Sequence, residues 1–193
     1  VDNATPKYRS YLRLIVDVGS FAEEEHQLGM AHFVEHMAFN GIEGFPGNSL
    51  TSVLQKLGME LGADQNASTG FFKTIYKLNM PNSESELMEL GLTILRGYAD
   101  KIIFDKDEVE KEKGVIDSED LDRSGASKRY KDIVASTYPN PLLAQRFPIG
   151  TKEVRSSFSA EGLRNFYERW YRPELMTVVI VGDLEGNDPE EMI

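Results

Sequence analysis

Between Leu28 and Asn40 the apolar residues recur at helical spacing, and Gly41 follows as a C-terminal stop. Three polar side chains, His32, Glu35 and His36, interrupt that stripe. Positions i, i+3 and i+4 share one face of a helix, so two imidazoles and a carboxylate emerge side by side. Neutral imidazoles so placed can point at one metal ion. Zinc suits such nitrogen ligands, and a catalytic zinc keeps one position open for water. The order His-x-x-Glu-His inverts the commoner zinc-protease helix motif. The chain has three histidines, and two of them lie in this pattern. The bland alternative is two ordinary histidines on an ordinary helix.

A metal site of this type requires a third protein ligand, so the fold must bring a donor from elsewhere to this helix. The chain contains no cysteine. That excludes disulfides, Cys-ligated zinc, iron–sulfur clusters and thiol catalysis. His26 falls in an acidic loop, Phe21 to Gln27, whose Glu23-Glu24-Glu25 run reads as a solvated segment near the metal helix. The third donor is therefore a carboxylate. Asp105 to Asp122 reads as a highly charged helix with Val109, Val115 and Ile116 facing the core. Its Glu112 and Glu119 are seven residues apart on one face. Periodicity alone does not choose among Glu108, Glu110, Glu112, Glu119 and Asp120.

The remaining pattern is that of an α+β domain. Tyr11 to Val18 reads as a strand closed by Gly19-Ser20, and Glu43 to Asn48 as a Gly/Pro loop. Asn48 or Ser49 caps a helix reaching Leu57. Met59 to Ala67 and Thr69 to Met80 read as paired strands. Asn82-Ser83 with Glu86 is a capping-box pattern opening a helix to about Lys101. Gly125 to Gly150 is mixed, with a break at Pro139-Asn140-Pro141. Ser159 to Arg169 reads as a helix and Met176 to Val181 as a buried strand. Neighbouring strands on a short link predict a mostly antiparallel sheet, with helices packed on one face. Trp170, Tyr167 and Tyr171, with Met30 and Met37, read as packing residues.

With 193 residues, 40% hydrophobic and 27% charged, the chain can bury a sizeable core. Its 21 basic and 32 acidic residues give a net charge of −11, without a basic cluster, which argues against nucleic acid and anionic membranes. No apolar run is long enough for a transmembrane helix. The chain begins at Val1 and ends at Gly186-Asn187-Asp188-Pro189-Glu190-Glu191-Met192-Ile193, in which Asp188, Pro189 and Glu191 read as an N-cap, a first-turn proline and a capping glutamate. The expectation is one domain spanning residues 1–193, a fragment of a longer multi-domain chain.

Leu28-Gly29-Met30-Ala31-His32-Phe33-Val34-Glu35-His36-Met37-Ala38-Phe39-Asn40-Gly41 closely resembles the zinc-binding segment of the pitrilysin/insulinase metallopeptidases. So do Gly19-Ser20 before it, Asn66-Ala67-x-Thr69 and Tyr76, and the stretch Glu110 to Glu119. Pro148-Ile149-Gly150, Phe166-Tyr167, Tyr171-x-Pro173 and Val181-Gly182-Asp183 match later landmarks, so the similarity covers nearly the whole chain. It implies Zn2+ held by His32, His36 and Glu119, one ion per chain. Glu35 would be the general base. Glu112, a catalytic-site carboxylate, would support the ligands by hydrogen bonding. It further implies an extended peptide substrate added to a sheet edge at Asn66, Ala67, Ser68 and Thr69. The gap from His36 to Glu119 is a few residues longer than the family's, which implies an insertion. Phe72-Lys73 stands where relatives often carry an acidic residue, a difference that bears on substrate preference.

The reaction implied is hydrolysis of peptide bonds by a zinc endopeptidase. The family pairs such a domain with a similar one, so a C-terminal half or second subunit would complete a chamber, and unpaired strand edges would favour homo-oligomers. A bacterial periplasmic or envelope location follows from the resemblance alone. A structural subunit derived from the family is the non-enzymatic alternative; such subunits generally lose the ligands that this chain retains. A fragment that binds metal but is inactive without its partner half is the other. A lyase using His-x-x-Glu-His on a related fold needs cysteines that are absent here.

Overall fold

The computed structural model describes residues 1–3, 5–138 and 141–193. In chain order the elements are β1 (Ser10–Val16), α1 (Met30–Phe39), the short strands β2 (Gly41–Ile42) and β3 (Phe45–Pro46), α2 (Ser49–Lys56), β4 (Gln65–Thr69) and β5 (Thr74–Met80). Then follow α3 (Ser85–Asp100), α4 (Lys106–Thr137), α5 (Pro141–Gln145), α6 (Lys152–Ser156), α7 (Ala160–Trp170), β6 (Met176–Gly182) and α8 (Pro189–Met192).

Among the described residues the main sheet has the order β4-β5-β1-β6 and is antiparallel throughout. β1 and β5 alternate with period two, as strands with one covered face require, whereas β6, expected as a buried strand, does not: Thr177 and Val178 are exposed and only Gly182 is buried. Leu12, Leu14 and Val16 of β1 stand beside Leu78, Tyr76 and Thr74 of β5, all buried on the helix side. Tyr11, Arg13 and Ile15 on the other face are half-buried. Helices α1 and α3 pack on the covered face, and α4 and α7 pack against α1. This is the expected α+β arrangement, a mostly antiparallel sheet with its helices on one face.

Several local expectations change. β4 begins at Gln65 rather than Met59, because residues 59–64 form a turn in which Asp64 accepts the Glu60 amide and Gly62 takes a left-handed φ of 92°. The capping box at Asn82-Ser83 and Glu86 does not form: Asn82 accepts the Glu84 amide, and Glu84 is the N-cap of α3. The expected Gly/Pro loop carries the β2–β3 pair.

The charged helix runs far past Asp122, to Thr137. Its start is set by Asp105, which accepts the amides of Asp107 and Glu108. Its internal glycines, Gly114 and Gly125, cost only about 1 kcal/mol each against alanine and do not end it. Val115, expected to face the core, is half exposed, whereas Val109 and Ile116 are buried. Part of the break expected at Pro139-Asn140-Pro141, residues 139 and 140, lies outside the described residues. At the other end, Asp188 does cap α8, accepting the Glu190 amide behind Pro189. No helix among the described residues is long and apolar enough to cross a membrane.

Candidate metal centre

α1 is enclosed along most of its length. Phe33, Val34 and Met37 are fully buried, each burial being worth roughly 1.5–3 kcal/mol. The helix starts at Gly29, whose φ of 101° excludes most side chains, and a Cβ there would lie 2.9 Å from the Ile149 carbonyl oxygen. Its first amides are met by Glu23: the carboxylate accepts from the Gly29 N–H at 3.0 Å and the Ala31 N–H at 2.9 Å. Glu23 is therefore no solvated loop residue but a buried anchor, and burial pushes its carboxyl up to about 8 despite those two donors and nearby Arg146. Its neighbours close the same loop. Glu24 forms a capping box with Gln27, and Glu25 pairs with Arg146 at 2.8 Å.

The buried face of α1 is completed by α4, and the expected residues come together. His32 Nε2 and His36 Nε2 are 3.2 Å apart. Glu119 Oε2 lies 3.6 Å from the first and 3.4 Å from the second. Among the described residues these three form the cluster of donors able to hold one metal ion, with all ligand atoms within 4.8 Å of one another. The triangle fits zinc: ligands at 2.0–2.1 Å around a tetrahedral ion stand about 3.3–3.4 Å apart.

Glu112 and Asn40 set the orientation of His36. Glu112 Oε1 lies 2.7 Å from His36 Nδ1, and Glu112 Oε2 accepts from Asn40 Nδ2 at 2.6 Å. A carboxylate can only accept, so His36 Nδ1 carries a proton, which leaves Nε2, facing His32 and Glu119, as the atom available to a metal ion. Burial opposes the charge on both members of this pair, but their mutual hydrogen bond outweighs it. The Glu112 carboxyl is held below its ordinary range, and the His36 imidazole is raised to about 9 by Glu112 and Glu119. Asn40 was legible only as the last residue of a helix; nothing in its spacing announced a bond to a residue 72 positions away.

Glu35 is buried beside the cluster and accepts a short hydrogen bond from the Thr69 hydroxyl. Thr69 belongs to β4, an edge strand with one side unpaired in the sheet. Asn66, Ala67, Ser68 and Thr69 all line a cavity of about 570 Å³ that opens over His32, Glu35 and His36. Within that group the roles diverge. Asn66 turns its side chain onto its own segment, donating to the Gly62 carbonyl and accepting the Ala67 amide. Thr69 is engaged by Glu35, whereas Ser68 is exposed. The opposite wall, Phe147 to Ile149, was not anticipated as part of the site.

An inverted His-x-x-Glu-His helix met by a carboxylate from a second helix, over an open-edged strand, defines a metallopeptidase-type domain. The comparisons with known proteins agree. The insulinase (peptidase family M16) model matches residues 1–143, and that of the M16 inactive domain matches residues 157–193. The chain belongs to the M16 family. It is 37% identical over 189 residues to the probable zinc protease PqqL of Haemophilus influenzae, covering 95% of this chain and 20% of that protein. It is 33% identical over 190 residues to the chloroplastic stromal processing peptidase of Arabidopsis thaliana, covering 95% and 14%. The crystal structure of the periplasmic protease PqqL from Escherichia coli superposes with a TM-score of 0.90 at 34% identity, covering 98% of this chain and 21% of that one. The chain thus spans about a fifth of the length of its PqqL relatives.

Proposed function

We propose that this chain is the zinc-binding domain of an endopeptidase that cleaves peptides or unfolded segments in extended conformation. The observation that supports this most is the triangle of His32 Nε2, His36 Nε2 and Glu119 Oε2, with the Glu35 carboxylate beside it and the open edge of β4 across the cavity. In this reading His32, His36 and Glu119 hold the zinc, which when bound supplies Lewis acidity to the scissile carbonyl and to water. Glu35 takes the proton of the attacking water and returns it to the leaving amine. The Thr69 hydroxyl holds one Glu35 oxygen and so orients the carboxylate. Glu112 and Asn40 fix the His36 ring in the tautomer that a metal requires. The peptide adds to β4 at Asn66 to Thr69 through backbone hydrogen bonds.

A downstream half or second subunit closing a chamber over this cavity is part of the proposal, supported by the length of the M16 relatives. A periplasmic or envelope location is supported by the periplasmic relative. The test is Glu35→Gln, assayed in parallel for peptide hydrolysis and for zinc content after loading and desalting. Hydrolysis should be abolished with one zinc retained per chain. Activity persisting in the pure variant would refute the assignment of the base.

A further inference from the structure

The largest fully buried side chain of the protein is a charged one. Arg155, on the short helix α6, is 1% exposed. Its Nη1 donates to the Ile149 carbonyl at 2.7 Å. Its Nη2 donates to Asp117 at 2.9 Å and to Asp120 at 3.1 Å. Both aspartates lie on α4, on either side of Glu119. The aliphatic stem of Arg155 packs against Gly29, which begins α1; a Cβ at Gly29 would lie 3.4 Å from Arg155 Cγ. One side chain therefore touches the start of the helix carrying the two histidines and grips the helix carrying the third donor.

That grip matters because of how α4 is held. Its apolar anchors are Val109 and Ile116, and among the described residues the next buried apolar side chain is Val134. Glu119 lies three residues beyond Ile116, in the stretch between those anchors. A polar helix of 32 residues without apolar anchoring at that level has nothing non-directional to fix its rotation or its distance from α1. A buried guanidinium does fix both: its donors point in fixed directions in one plane, so Nη2 bridges the two aspartates while Nη1 is held by the Ile149 carbonyl.

We propose that Arg155 is a positioning residue for the metal centre: by clamping Asp117 and Asp120 it sets the distance and rotation at which Glu119 meets His32 and His36. This inference rests on the zinc site proposed above. Charge separates positioning from mere electrostatics. Arg155→Met removes a positive charge near the site and by Coulomb attraction alone would tighten zinc binding. Asp117→Asn/Asp120→Asn removes two negative charges and by the same token would weaken it.

The experiment measures zinc dissociation constants of the protein by chelator competition, at a temperature where circular dichroism shows each metal-free variant fully folded. Both variants should bind zinc roughly 10- to 100-fold more weakly, the range seen when groups that orient metal ligands are lost. Arg155→Lys, which keeps the charge but cannot reach the two aspartates and the Ile149 carbonyl with fixed planar donors, should fall between them and wild type. It carries the comparison alone if Arg155→Met does not fold. Unchanged or tighter binding in Arg155→Met, or wild-type affinity in Arg155→Lys, would overturn the inference. A wild-type protein that holds no zinc would instead overturn the zinc site itself.

Discussion

Glu23 places a carboxyl in the interior at the head of the helix that carries the metal-site residues, and this has a measurable consequence. Burial raises its folded-state pKa to about 8 from the ordinary 4.5. In the unfolded chain the group ionises near its ordinary value, so above that pH the unfolded state binds fewer protons than the folded one. Stability from this group is thus complete at low pH and falls as pH rises, until the folded carboxyl itself ionises. With 1.36 kcal/mol per pKa unit, the loss between about pH 5 and about pH 8 comes to roughly 3 kcal/mol. Glu23→Gln has a nearly isosteric side chain that does not titrate. It turns one amide N–H toward a backbone donor, at a cost of about 1–3 kcal/mol. The assay is urea unfolding of both proteins across that window, in chelator so that metal binding does not enter. The wild type should be the more stable at the acidic end, and its advantage should shrink or reverse toward the alkaline end. Taking the difference cancels the other titrating groups, His36 among them, whose raised pKa also erodes metal-free stability as pH rises through about 9. A difference that stays flat, or grows with pH, would refute the reasoning: the Gly29 and Ala31 amides with Arg146 would then be holding Glu23 as a charged cap.

Two further outcomes follow from the centre itself. Glu112→Gln keeps the shape but leaves the His36 Nδ1 proton a weaker acceptor, and should lower zinc affinity by roughly 10- to 100-fold in the same competition assay; unchanged affinity would show that the ring is held by packing alone. Thr69→Val removes the hydroxyl that holds Glu35 and should lower kcat by roughly 10- to 100-fold with little change in KM, while Thr69→Ser restores most of it; a loss expressed only in KM would mean that Thr69 serves the substrate and not the base.

What could be read from the sequence divides by the kind of force involved. α1 was legible in position because its burial is apolar and periodic, so the three polar residues within it demand an explanation. The strands β1 and β5 were legible for the same reason, to within five residues at each end, and β6 was legible in position but not as a buried strand. Glu23, Asn40 and Arg155 were not. Each acts through a directional bond to a residue in another segment, six and eight positions away for Glu23 and tens of positions away for Asn40 and Arg155, and a lone polar residue has no period. The acidic run Glu23-Glu24-Glu25 in particular has the composition of a solvated loop, while its three members serve a helix cap, a capping box and an ion pair.

α4 lies between these cases and shows where reading by pattern stopped short. Taking Val109, Val115 and Ile116 together as core-facing spreads the inner surface over too wide an arc to select any acid. Val115 is in fact half exposed. With Val109 and Ile116 alone as anchors, seven residues apart, the inward line runs Val109, Glu112, Ile116, Glu119 in steps of three, four and three. Apolar and acidic residues alternate along that line, which gives the helix its weak overall amphipathicity. It also brings Glu112 and Glu119 to the His36 ring, one at Nδ1 and one at Nε2. Glu108, Glu110 and Asp120, the other acids that periodicity left open, fall off the line. Glu108 and Glu110 pair with Lys111 and Lys113, and Asp120 with Arg155. The same alternation that hid the third donor is the reason the helix needs a polar clamp: every second inward position is given to chemistry rather than to packing, and the next apolar contacts among the described residues, Tyr130 on Phe147 and the buried Val134, lie about three turns or more past Glu119.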